Sequence, residues 1–64
     1  MTMKQCRELR KLSVTDMAER LDISNLLYEY YENHSEDVSL DIAVKFATQV
    51  GISLDEIFFT SQSN

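Results

Sequence analysis

The 64-residue sequence contains no proline and only one glycine, Gly51. Hairpin turns and phosphate-binding loops are built largely from these two residues, so their scarcity argues against a strand-rich fold and a glycine-rich nucleotide site. The single cysteine, Cys6, cannot form an internal disulfide. The sequence also has no stretch of about 20 apolar residues, which a helix needs to cross a membrane. The N-terminus also lacks the apolar core of a signal peptide, and we therefore expect a cytoplasmic protein.

The composition is that of a globular chain, with 44% hydrophobic and 27% charged residues. It is too apolar for a disordered tail and too charged for a membrane segment. At this length folding buries only roughly 60% of the surface of the unfolded chain, so the core must be small. We expect a single domain that spans residues 1–64.

Four serines mark expected helix starts, because each follows an apolar residue and precedes another by four positions. This is the spacing of an N-cap with a hydrophobic staple. The four sets are Leu12-Ser13 with Met17, Ile23-Ser24 with Tyr28, Val38-Ser39 with Ala43, and Ile52-Ser53 with Ile57. Asp16 and Glu56 stand at the capping-box position after Ser13 and Ser53.

The apolar spacing between these starts is helical and predicts an all-α fold of five short helices. Helix 2 is predicted at about 14–21, helix 3 at about 25–33, and helix 4 from Leu40 to a stop at Gly51. The remaining apolar positions define a first and a fifth helix: Met3, Cys6 and Leu9, then Leu54, Ile57 and Phe58. The polar residues 60–64 are expected to fray.

Only Asp22, Ile23 and Ser24 separate helices 2 and 3, which is the short connection of a helix-turn-helix. The run from Leu12 to Ser24 resembles the Cro/repressor-type, lambda-repressor-like helix-turn-helix family, with Ala18 at the small position where two helices touch. Tyr28, Tyr31 and Glu32 resemble the apolar pair and the acid that close the third helix of this family. The resemblance covers about residues 4–59 and implies a role in transcriptional control, not an enzyme.

The resemblance also implies a site, since the third helix of this family enters the major groove and reads base edges. Asn25 could read adenine and Glu29 could accept a hydrogen bond from a cytosine amine. Three positions depart from the family pattern: Val14 replaces a polar residue, and Asp22 and His34 stand where glycine is common. Carried over, the residues at the reading positions are Asn25, Leu26, Leu27, Glu29 and Asn33.

The charge is divided unevenly along the chain, which has a net charge of -5. Residues 1–20 carry five basic and three acidic residues, whereas residues 21–64 carry Lys45 alone against eight acids. A surface formed by the acids of residues 21–64 would repel phosphate, whereas DNA-binding modules present a basic stripe to the duplex. Five of the acids lie on or beside the predicted third helix: Asp22, Glu29, Glu32, Glu36 and Asp37.

Leu26 and Leu27 beside Tyr30 would form an apolar patch on this acidic surface, a combination that meets protein more often than nucleic acid. Our hypothesis is that the third-helix surface binds the basic DNA-binding domain of a partner repressor. Fold, size and acidity together are similar to small antirepressors, the modulators of repression of temperate phages of Gram-positive bacteria. The alternative is a Cro-like operator binder, acting as a homodimer, that uses Asn25, Glu29 and Asn33.

Several side chains have a structural interpretation that competes with a functional one. Leu27 either turns inward or joins the patch, and Tyr28 and Tyr31 are predicted in the core by their spacing. Glu32 is expected to cap or orient neighbouring backbone. Lys4, Arg7 and Lys11 recur on one face of helix 1, either as phosphate contacts or as a surface stripe paired with Glu8 and its neighbours.

We predict no catalytic residue, no cofactor and no metal site. His34 has no second histidine or cysteine at a ligand spacing, and Cys6 is interpreted as a small core residue. A chain of this size also has little room for the concave pocket that catalysis usually needs.

Overall fold

The computed structural model describes residues 1–59, and these form five helices and no strand. The helices are α1 (Met3–Leu9), α2 (Val14–Leu21), α3 (Asn25–Asn33), α4 (Leu40–Val50) and a short π-type α5 (Asp55–Phe59), with a 3-10 turn at Ser35–Asp37 between α3 and α4. The predicted all-α class is confirmed. The predicted frayed tail, 60–64, lies outside the described residues. Within those residues no helix has both the length and the apolar character needed to span a membrane.

Serine hydroxyls cap the helices at the positions that the sequence predicts. Ser13, Ser24 and Ser39 each accept a hydrogen bond from the backbone N–H three residues later, at 3.0, 3.0 and 3.3 Å, and Ser53 does the same at 3.3 Å. Such a cap is worth about 1 kcal/mol, because it satisfies a backbone donor that the helix leaves unpaired. The sequence therefore fixes where α2, α3 and α4 begin.

The capping box at Ser13 is complete, since the Ser13 N–H donates to the Asp16 carboxylate at 3.1 Å. The bonds to Ser13 lower the pKa of Asp16 below its usual value. Thr2 and Gln5 form a second complete box at the start of α1, with bonds of 2.9 and 3.0 Å. The serine pattern missed this box, although Thr-x-x-Gln is itself a capping-box signature.

Three helix ends turn through left-handed backbone. Gly51 ends α4 with a φ of 69°, as predicted for the one glycine. Asp22 ends α2 with a φ of 60°, and Lys11 follows α1 with a φ of 59°. Arg10 donates from Nε to the carbonyl of Val50 at 2.7 Å, which satisfies a terminal carbonyl of α4 from the far end of α1.

The core lies where α2, α3 and α4 meet, with α1 and α5 packed against it. Ala18 is buried as predicted, and its carbonyl accepts a hydrogen bond from the N–H of Ile23, in the connection to α3, at 3.0 Å. Leu9 ends α1, as the sequence predicts, but its side chain is 54% exposed, unlike the buried Met3 and Cys6 of the same helix. The largest fully buried side chains are Tyr28, Phe46, Met17, Leu21, Val50 and Cys6.

An ion pair between α1 and α3 is nearly buried. Arg7 Nε donates to Glu32 Oε2 at 2.7 Å and Nη2 to Oε1 at 3.4 Å, while each side chain is only 11% exposed. The Tyr28 hydroxyl donates to the same carboxylate at 2.6 Å. The hydrogen bond to Glu32 raises the pKa of Arg7, and burial raises the pKa of Tyr28.

This network corrects two predictions. Glu32 does not orient neighbouring backbone but accepts hydrogen bonds from two side chains. The basic stripe on α1 is also broken, since Arg7 turns inward to Glu32 and donates from Nη1 to the carbonyl of Leu12, while Lys11 lies beyond the helix end. Because the network joins α1 to α3, it holds the third helix at a fixed angle to the rest of the fold.

Candidate functional site: the third-helix surface

The third helix presents one face to the core and the other to solvent. Tyr28 is fully buried and Tyr31 packs, partly buried, against the core. Leu26 is 79% exposed, Tyr30 45% and Leu27 39%. Leu26 and Tyr30 are four residues apart and so share one face of the helix. Of the two orientations considered for Leu27, the structure shows the exposed one.

Tyr30 is held in place on this surface by the turn that follows α3. Its hydroxyl donates to the carboxylate of Asp37, and its ring stacks on His34 with centroids 4.6 Å apart and planes 29° apart. The hydrogen bond to Asp37 raises the pKa of Tyr30. A ring fixed in this way loses less conformational freedom when a partner binds it.

The two asparagines at the predicted reading positions make contacts within the chain. Asn25 Nδ2 donates to Thr15 Oγ1 on α2 at 2.8 Å, and Asn33 Nδ2 donates to the carbonyl of Glu29 at 3.1 Å. Each contact uses one of the two amide hydrogens, so the carbonyl oxygen and a second hydrogen stay available. The Asn25 contact also fixes the start of α3 against α2.

The third helix and the turn that follows it carry acidic residues and no lysine or arginine. Residues 25–37 contain no lysine or arginine. Asp22, Glu29, Glu36 and Asp37 are exposed, whereas Glu32 is withdrawn from the surface by Arg7. We define these four exposed acids together with Leu26, Leu27 and Tyr30 as the third-helix surface. It offers no cation for a phosphate group.

His34, Glu36 and Asp37 form a cluster of possible ligand side chains in the turn after α3. Each offers one possible ligand atom, and these atoms lie within 4.8 Å of one another. His34 Nδ1 is 3.6 Å from a carboxylate oxygen of Glu36, and both side chains are well exposed. The ring of His34 and the carboxylate of Asp37 both contact Tyr30. Holding the Tyr30 ring in place is therefore a sufficient role for these two residues, without a metal ion.

Residues 3–57 match the family model described as helix-turn-helix. The match runs from the first residue of α1 into α5 and includes both α2 and α3. No curated protein and no solved structure is significantly similar to the chain.

Proposed function

We propose that this chain, which belongs to the Cro/repressor-type helix-turn-helix family of DNA-binding transcription regulators, acts through its third helix on another protein. In this role it is an antirepressor: it covers the DNA-binding domain of a partner repressor and prevents operator binding. The observation that carries the proposal is Leu26, which is 79% exposed on the same helix face as the half-exposed Tyr30, in a segment without lysine or arginine.

The charges of the surface favour a protein partner over DNA. Affinity for the DNA backbone arises from lysines and arginines that displace condensed counterions, and each such contact contributes to the salt dependence of binding. Residues 25–37 supply none. Their exposed carboxylates would instead face the phosphates of a duplex placed against α3, which is unfavourable.

A repressor's DNA-binding domain has the complementary chemistry. Its phosphate-binding arginines and lysines would be attracted to Asp22, Glu29 and the acids of the turn, which speeds encounter more than it strengthens the final complex. Leu26 and Tyr30 would supply the desolvated contact, because buried aromatic and aliphatic anchors carry most of the affinity of an interface. The fixed ring of Tyr30 lowers the entropy loss on binding.

The second candidate function is operator binding by a Cro-like dimer. Two observations support it: the family binds DNA, and Asn25 is positioned by Thr15 at the N-terminal end of α3, where side chains of this fold reach base edges. Asn25, Glu29 and Asn33 would then read the bases. Phosphate contacts would have to come from basic residues outside α3, such as Lys4 or Lys11.

The first experiment is a DNA-binding titration of the pure protein on its own promoter region at low salt, with and without a repressor that binds that region. Release of the repressor from its operator, without DNA binding by the protein alone, supports the antirepressor. Tight binding by the protein alone, weakening steeply as salt rises, overturns it and assigns Asn25 and Glu29 to base reading.

A substitution pair tests which residues form the contact. We expect Leu26→Ser to weaken binding to the repressor by about tenfold or more, as for a truncated interface anchor. Leu9→Ser is the matched control, because Leu9 is also an exposed leucine, at 54%, but lies on α1. Binding is measured by calorimetry or by release of labelled operator. Equal losses for the two variants would contradict the assignment of α3 as the contact.

A further inference from the structure

Tyr30 is tied to the turn after α3 by both its backbone and its side chain. Its carbonyl accepts a hydrogen bond from the His34 N–H at 2.8 Å, and the carbonyl of His34 accepts one from the Asp37 N–H at 2.9 Å. The side chains link the same residues, because the Tyr30 ring stacks on His34 and its hydroxyl donates to the Asp37 carboxylate. The ring therefore cannot change rotamer without breaking two side-chain contacts.

Glu36 is an acid of the same turn that takes no part in holding the ring. Its side chain is 71% exposed and approaches His34 Nδ1 only to 3.6 Å, which is beyond hydrogen-bond distance. Among residues 1–59 the Tyr30 hydroxyl donates to Asp37 alone. Two neighbouring acids of equal charge thus differ in one respect, since only Asp37 bonds to an exposed aromatic side chain.

We propose that Asp37 and His34 are positioning residues for partner binding, because they hold the Tyr30 ring in the orientation in which the partner meets it. The inference rests on the proposed function, in which Tyr30 is part of the contact. An exposed tyrosine that is free to rotate samples several rotamers, and ordering it on binding lowers the affinity. The contacts of Tyr30 remove that freedom when the chain folds. Asp37 then contributes mainly through its hydrogen bond, whereas Glu36 contributes its charge.

Three substitutions separate the hydrogen bond from the charge. Asp37→Asn removes the charge but keeps a side-chain oxygen that can accept from the Tyr30 hydroxyl. Asp37→Ala removes both the charge and the acceptor. Glu36→Gln is the matched control, because it removes the same charge one position away and leaves the contacts of Tyr30 in place.

The first measurement is the order of the Tyr30 ring in the free protein, from NMR relaxation of its C–H groups. The fully buried ring of Tyr28 provides the rigid reference. We expect the Tyr30 ring to be nearly as ordered as that of Tyr28 in the wild type and in Asp37→Asn. It should be clearly more mobile in Asp37→Ala and His34→Ala. A wild-type ring as mobile as that of Asp37→Ala overturns the proposal.

The second measurement is the kinetics of binding to a repressor that binds the promoter region of this protein, at several salt concentrations. Asp37→Asn and Glu36→Gln should both slow association, by a factor that shrinks as salt rises, because long-range attraction between charges is screened. Asp37→Ala should also dissociate faster and bind about three- to tenfold more weakly than Asp37→Asn at every salt concentration. In the Tyr30→Phe background, which has no hydroxyl to hold, the two Asp37 variants should bind alike.

Equal affinities of Asp37→Ala and Asp37→Asn for the repressor would assign Asp37 to charge alone and overturn the proposal. A difference between them that persists in Tyr30→Phe would do the same. If the wild type does not bind the repressor, the proposed function fails, while the ring order in the free protein still decides whether Asp37 and His34 hold Tyr30. Circular dichroism checks that every variant keeps its helices.

Discussion

Glu32→Ala is the substitution that the structure predicts to be most damaging among the polar residues. It removes the carboxylate that accepts from Arg7 Nε at 2.7 Å and from the Tyr28 hydroxyl at 2.6 Å. Arg7 is 11% exposed, so its charge would remain in the protein with one partner, the carbonyl of Leu12. An uncompensated charge in such a place is far more costly than the loss of the pair's own attraction.

The size of the effect follows from the geometry. Removing one partner of a buried ion pair destabilises proteins by about 3–5 kcal/mol. Arg7 keeps its bond to Leu12 and some access to water, which places the expected loss near the lower end, at about 3 kcal/mol. A domain of this length has a total stability of roughly 3–10 kcal/mol, so the variant should keep roughly 0–7 kcal/mol and lose a large share of its stability.

Two further variants separate the charge from the packing. Tyr28→Phe removes one hydrogen bond and should lose about 1 kcal/mol. Combining it with Arg7→Leu and Glu32→Leu removes all three polar groups together, and this triple variant should be clearly more stable than Glu32→Ala. The assay is urea denaturation followed by circular dichroism. A loss below about 1 kcal/mol for Glu32→Ala, or a triple variant less stable than it, would refute the reasoning.

Two smaller perturbations test local features of the fold. Asp16 has a lowered pKa in the folded state, so its contribution to stability is present near pH 7 and is lost as the pH falls below the usual value of 3.8. The melting temperature of Asp16→Asn should therefore be lower than that of the wild type at about pH 7 and approach it at about pH 2; a constant difference would contradict the capping box. Gly51→Ala should lose about 1 kcal/mol in urea denaturation, because its φ of 69° is strained for alanine. The added Cβ would lie 3.7 Å from Arg10, an ordinary contact, so the loss should come from the backbone. Asparagine tolerates left-handed backbone better than alanine, so Gly51→Asn should lose less; equal losses would mean that the space, not the backbone, decides.

The features that the sequence predicted are those set by neighbours along the chain. A serine between apolar residues at staple spacing determines its own cap, and the hydroxyls of Ser13, Ser24 and Ser39 all bond as expected. Gly51 ends α4 because only glycine takes left-handed backbone without strain. The spacing from Leu12 to Ser24 predicted the family in the same way, since each position is defined relative to the next.

The features that the sequence missed depend on contacts between distant segments. Arg7 and Glu32 are 25 residues apart, and nothing local to either one indicates that they meet. Periodicity placed Leu9 in the first helix with Met3 and Cys6, and α1 does end at that residue, but the Leu9 side chain is exposed and the chain turns at Lys11 with a φ of 59°. Lysine has no preference for left-handed backbone, so neither this turn nor the exposure of Leu9 could be predicted locally.

The same ion pair changes how the charge of the molecule bears on its function. Counting along the sequence assigned Glu32 to the third-helix surface and Arg7 to a basic stripe on α1, yet the two neutralise each other between the helices. The surface keeps four exposed acids, and α1 loses the middle cation of the stripe that could have touched phosphate. The loss of Arg7 leaves a DNA-binding mode with one cation fewer on α1, whereas the withdrawal of Glu32 leaves the third-helix surface with one carboxylate fewer. They leave the apolar patch untouched, since Leu26 and Tyr30 are exposed independently of the pair. The proposal of a protein partner therefore depends on the exposed apolar side chains and on the lack of lysine and arginine in residues 25–37, and the ion pair does not alter either.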